Sequence, residues 1–292
     1  MKARAFPLLL SALALPALAA QERASITGLL EWDRMELSAV VSVNLEKAGI
    51  RFPAGRARAE SLLEDEYESL IRSPLMAIQV DSAATAAQKI ESGELTVHDA
   101  DNAVESARRI PPSLSADLAS IAGRYTLSLN QFAAEFPRGA QPNEAPSPLV
   151  PVPAREYTGI IIIADETVPV HGRQARALPR PCLFPKIWDS EMNLVFDRGM
   201  TRPDLEWGMV RYASRESIMG AAPSGIAESL AGRVGENPLR IIARGVFGIA
   251  PTDPVIHRDD ALLILSNETN RRLLREGRVV IIVEKSALKA AF

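Results

Sequence analysis

The chain is poor in the residues that carry most side-chain chemistry. It has one cysteine, Cys182, and three histidines, His98, His171 and His257, far apart along the sequence. A lone cysteine cannot close an internal disulfide. No His-x-x-x-His or Cys-x-x-Cys spacing occurs, which argues against a zinc site. There is no EF-hand loop, no P-loop and no Gly-x-Gly-x-x-Gly, so no cofactor is indicated. Excess positive charge is missing too. The formal net charge is −3, and it becomes more negative if Lys2 and Arg4 are removed, which gives no support for nucleic-acid binding. Beyond the first twenty residues, no apolar run is long enough to cross a bilayer.

Those first residues form a unit of their own. Lys2 and Arg4 supply a basic start, Phe6 to Leu18 an apolar stretch, and Ala17-Leu18-Ala19 a small-x-small cleavage pattern. Together they predict a secretory signal peptide over 1–20 and a periplasmic, secreted address. No cysteine follows the cleavage region, so no lipid anchor is expected there. The whole chain is 47% hydrophobic and 24% charged, ordinary globular composition, and its length suits one or two domains.

The stretch that organises the second half is Tyr157-Thr-Gly-Ile-Ile-Ile-Ile-Ala164. Consecutive β-branched residues suit a strand, and the absence of alternation predicts burial on both faces. Val279 to Val283 is the other near-continuous aliphatic run and the expected partner. The first half reads differently. From Met35 to Leu45 apolar residues alternate, placing Leu37, Ala39, Val41, Val43 and Leu45 on one face of a half-buried strand. Ala59, Leu62, Leu63, Tyr67, Leu70 and Ile71 are spaced as an amphipathic helix over Arg56 to Arg72. Glu64-Asp65-Glu66 reads as its solvated face. A further helix is expected from Val97 to Arg109, with Thr96 as its N-cap and Pro111-Pro112 as its stop. Ser115 to Ile121 and Arg124 to Leu129 read as two short strands or one long bent one, with Gly123 as a turn or bulge.

This order predicts two small α+β domains. The boundaries are an N-terminal domain over 21–136, a proline-rich linker over 137–153 and a C-terminal domain over 154–292. In the second domain, Asn193 to Phe196, Trp207 to Ala213 and Leu239 to Val246 read as strands, with Asp197-Arg-Gly199 as a turn. Ile226 to Ala231 reads as a short helix, and Asp259 to Leu274 as a helix interrupted near Ser266-Asn267.

Each chemical candidate is weak. Gly220-Ala-Ala-Pro-Ser-Gly225 has Ala222 where a nucleophile elbow needs glycine, so Ser224 reads as a loop residue. Cys182 with His171 is a thin constellation, and a buried structural thiol fits better. His257-Arg-Asp-Asp260 offers oxygen ligands, but acidic residues there suit a helix start. Asn267-Glu-Thr269 is formally a glycosylation sequon. The least ordinary feature is the loop from His171 to Lys186, with Arg173, Arg176, Arg180 and Lys186. It is the candidate interaction loop for an anionic surface, against the plainer reading of a solvated loop.

Four stretches, Tyr157 to Ala164, Leu183-Phe-Pro-Lys-Ile-Trp-Asp189, Gly235-Glu-Asn-Pro-Leu239 and Gly277-Arg-Val-Val-Ile-Ile-Val283, resemble a module of uncharacterised secreted proteins of spirochaetes. The first half, with Val80-Asp-Ser-Ala-Ala-Thr85 after its long helix, is distantly similar to FlgP- and FlgT-like lipoproteins of the flagellum and outer membrane. The resemblance implies no enzyme. It implies a structural or assembly protein of the cell envelope, with envelope or flagellar-motor proteins as partners. A periplasmic hydrolase and a small-ligand binding protein are the alternatives, and a homo-oligomer stays open.

Overall fold

Alternating side chains build the first sheet. The computed structural model describes residues 23–138, 142–205, 207–219 and 225–292. The expected signal peptide, Ser224 and residues 139–141 of the expected linker lie outside the described residues. Strands β1 (Ala24–Glu31) and β2 (Glu36–Asn44) form a hairpin. On β2, Leu37, Ala39, Val41 and Val43 are buried as the alternation requires. They meet helix α1 (Arg56–Met76), which buries Ala59, Leu63, Tyr67, Ile71 and Leu75. α1 runs past the expected end at Arg72. Glu64 and Glu66 are not simply solvated: Glu64 pairs with Arg109 and accepts a bond from the Tyr125 hydroxyl, and Glu66 pairs with Arg23.

Two capped helices follow, α2 (Ala86–Glu91) and α3 (Val97–Glu105). Thr96 caps α3 and Asp99 closes a capping box with it, giving two otherwise orphaned backbone donors a partner. α3 ends at Glu105, before Arg108. The expected helical end at Arg108 and Arg109 is instead the start of strand β3 (Arg108–Leu114). Pro111-Pro112 lies at a register shift of this edge strand, where proline need not donate to a ladder. β4 (Ser120–Ser128) is continuous through Gly123, and α4 (Leu129–Ala134) closes the first half.

The second half is built on a parallel sheet. Its strands are β5 (Ile160–Ile163), β10 (Arg211–Ala213), β11 (Leu239–Ile242) and β14 (Val279–Ile282), in the order β10-β14-β5-β11. β5 is interior and pairs with β14 on one side and β11 on the other. Ile160 and Ile162 face α6 (Arg258–Leu265) and α7 (Glu268–Arg275), in the core that holds Ile264, Leu273 and Leu274. Ile161 faces a separate core with Leu230 and Val234 of α5 (Glu228–Val234). Parallel strands need this cover on both sides. The expected single strand over Leu239 to Val246 splits: its later part is β12 (Gly245–Phe247), in another sheet.

That mixed sheet, ordered β12-β13-β8-β9, joins β12 to β13 (Asp253–Ile256), β8 (Ile187–Asp189) and β9 (Leu194–Phe196). A small hairpin pairs β6 (Val168–Pro169) with β7 (Arg176–Ala177). The final strand, β15 (Lys289–Ala291), crosses back to the first sheet and pairs with β1, giving the order β15-β1-β2-β4-β3. There a Cβ on Gly28 would stand 2.1 Å from the Phe292 ring and 2.5 Å from the Ser38 carbonyl oxygen, so glycine permits the close approach.

The two halves are therefore welded. One continuous core runs from Leu37 and Tyr67 to Ile162 and Val279. Leu183 and Phe184 donate backbone bonds to Gln79 and Val80, at 3.0 and 2.7 Å. Trp32 meets Tyr212 edge to face, with centroids 5.9 Å apart. The end of the proline-rich tract and the chain just after it are tied down as well: the Val152 and Tyr157 amides donate to Ser266 and Asn270.

Candidate functional site

The seam between the halves opens into a cleft of about 430 Å³, within the usual range for small-ligand sites. The first half contributes Val80, Asp81, Lys89, Glu94 and Phe136; the second contributes Phe184, Lys186, Asp197 and Arg198. The turn after α1 sets the first wall. The Asp81 carboxylate accepts the Ala83 and Ala84 amides, both at 2.9 Å, and fixes the loop that carries Val80. Lys89, on α2, bridges Asp81 at 2.9 Å and Glu94 at 2.7 Å. Those two bonds hold the Asp81 carboxyl below and the Lys89 amine above their usual values, against the opposing effect of burial, which is the larger single influence on each.

Arg198 forms the opposite wall. Its guanidinium donates to the carbonyls of Ala133, Phe136 and Pro137, at 3.0, 2.7 and 3.1 Å, closing the C-terminal end of α4. It lies 4.1 Å from the Phe184 ring centroid, a stacked cation–π contact. No carboxylate pairs with it among the described residues, and its Nε is buried without a partner. Burial, and secondarily Arg138, pull its ionisation down to about 10, so it stays charged at neutral pH. Asp197 caps the short helical turn at Arg198–Met200 through the Met200 amide, at 3.2 Å.

Bonded to the backbone of Lys186 is Asp253, fully buried. It accepts from the Lys186 amide at 3.2 Å, Trp188 Nε1 at 3.4 Å and the Thr252 hydroxyl at 3.1 Å, and also from Ser82 of the first half. Burial raises its carboxyl above the usual range, and the hydrogen bonds oppose this. Gly248 lets the chains approach here: its φ is +121°, and a Cβ would lie 2.4 Å from that of Ser82.

The candidate interaction loop is not gathered into one patch. Arg173 and Arg176 are exposed on or beside the β6–β7 hairpin, and Arg176 donates to the Thr167 carbonyl. Arg180 lines a second hollow, of about 790 Å³, with Trp32, Ile78 and Ile249. Lys186 alone enters the seam cleft. Cys182 is buried, its thiol pushed up by desolvation first and by Asp253 second, which makes it a poor nucleophile. His257 caps α6 by accepting the Asp259 amide at 3.2 Å, with Asp259 and Asp260 in the first turn. The Asn267 side chain caps α7 and donates to Ala154, so the sequon asparagine is engaged. Among the described residues no group of His, Cys, Asp or Glu is arranged to hold a metal ion.

Sequence reasoning passed over Asp81, Lys89, Asp197 and Arg198. A signal did exist. Two of the quoted stretches, Val80 to Thr85 and Leu183 to Asp189, are the ones the fold brings face to face. Their meeting could not be read from spacing, because 97 residues separate them.

The class these features define is a two-domain α+β protein with a charged cleft at the seam. Residues 23–135 match the family model described as Treponema pallidum Tp0624, N-terminal domain. Residues 159–285 match the model described as Treponema pallidum Tp0624, second domain. The chain is thus similar to that spirochaete protein in both domains and in their order, and neither match is to a FlgP or FlgT domain. No curated protein matches the chain. Among the described residues no helix is long and apolar enough to cross a membrane.

Proposed function

We propose that this is a non-enzymatic structural or assembly protein of the periplasm, acting through protein–protein contacts in the cell envelope. The observation that carries the reading is an apolar groove of about 930 Å³ between the proline-rich tract and α6, lined by Leu149, Val150, Met192, Leu194 and Leu262 among others. Leu149 is 101% and Val150 78% exposed. Adjacent exposed aliphatics beside a groove mark an interaction site more often than a catalytic one. The thiol candidate points the same way, because Cys182 is buried within the fold. Association with a flagellar motor is the finer form of this proposal and rests on the distant resemblance alone.

The test is a photo-crosslinking residue placed at Leu149 in intact cells, with a second placed at exposed Arg58 as control. Adducts to envelope proteins at the first position and not at the second support the proposal. Equal or absent crosslinking at both overturns it. Periplasmic protein should begin at Ala20 or Gln21, and an intact Met1 there would contradict a cleaved signal peptide.

A further inference from the structure

The seam cleft goes beyond a contact role. We infer that it binds a small zwitterion with an apolar body: an amino acid or short peptide with free amino and carboxyl groups. Most of the charges in the cleft are already engaged. Lys89 is committed to Asp81 and Glu94. Arg198 spends its fork on three backbone carbonyls. That leaves Lys186 and Asp197.

Lys186 has no carboxylate within ion-pair distance among the described residues; its ammonium lies 6.0 Å from the centroid of the Trp188 ring. It is a compact cation with free donors, suited to a ligand carboxylate, and the uncompensated charge of Arg198 in the same cleft adds attraction. Asp197 has one oxygen on the Met200 amide and no cationic partner among the described residues. Its other oxygen suits a ligand ammonium. The same cleft is lined by Phe136, Phe184, Val80 and Pro137, which offer apolar cover to a side chain. A ligand with only one charge would leave the other group unpaired in a partly desolvated cleft, which disfavours it. Because the walls come from both halves, such a ligand would brace the seam.

The test titrates the purified full chain with alanyl-phenylalanine, its C-terminal amide and its N-acetyl form, by calorimetry. Saturable binding of the free dipeptide is expected, with each blocked form weaker by tenfold or more. K186Q should lose affinity for the free dipeptide and no longer distinguish it from the amide, and K186R should restore the distinction. D197N should stop distinguishing the free dipeptide from the N-acetyl form. The inference is overturned if the dipeptide does not bind saturably, or if K186Q and D197N bind like the parent. Should either variant fail to fold, the parent protein still decides: equal binding of the free and blocked dipeptides overturns the inference.

Discussion

Strands β2 and β5 solve the same problem in opposite ways. β2 lies in an antiparallel sheet with one face on α1 and the other partly in water, and its residues alternate accordingly. β5 lies inside a parallel sheet with a core on each face, and its residues do not alternate. The lesson is that runs and alternation report how many sides of a strand are covered. That difference can be tested by placing charge on each side in turn.

The largest effect should come from β5. I161D and I162D should be equally damaging, because each buries an unpaired carboxylate, in one core or the other. With a total stability of roughly 5–15 kcal/mol, either change should leave the protein largely unfolded by circular dichroism. If one of the pair melts like the parent, the two-sided cover is wrong. In β2 the contrast should appear within a single strand. V41D, at a fully buried position, should be severe. V40D, on the half-exposed face opposite Arg124, should change stability by about 0.5 kcal/mol or less.

Next in size is Arg233, a buried cation whose guanidinium donates to the carbonyls of Gly277, Trp207 and Gly208, at 2.7, 2.9 and 2.7 Å. It holds together the loops around β14, with no carboxylate partner among the described residues. R233M should cost about 3 kcal/mol in urea unfolding, since it strips three buried acceptors of their donor. A neutral result would mean that water replaces the guanidinium there.

Asp253 should give a smaller effect that depends on pH. Burial raises its folded-state carboxyl above the ordinary carboxylate value. Between those two values the folded state holds the proton more tightly than the unfolded state. Stability contributed by this group is therefore fully present below the ordinary value and lost as pH rises through the raised one. D253N should flatten that part of the stability–pH curve, and it should lower stability throughout by about 1–3 kcal/mol, because its amide group faces donors. An unchanged slope would remove Asp253 from the account.

Much of the fold was legible because local chemistry decided it. The capping box at Thr96 and Asp99, the split near Ser266-Asn267 and the pairing of the two aliphatic runs all follow from residues close in sequence or alike in composition. The misses share a cause. Pro111-Pro112 ended no helix because α3 had already stopped, and an edge strand at a register shift tolerates proline. The return of β15 to β1 depends on a partner more than 250 residues away. The cleft has the same difficulty: Lys186 could be flagged as a cation, but Asp197 and Arg198 look like turn residues until the Phe136–Phe184 wall forms around them.

The central claim is that these two differently built halves share one core and one seam. Scanning calorimetry of the full chain tests it most directly. The account predicts a single unfolding transition whose calorimetric and van't Hoff enthalpies agree. Two separable transitions, one removed by I162D and the other by V41D, would show that the halves stand alone and contradict it.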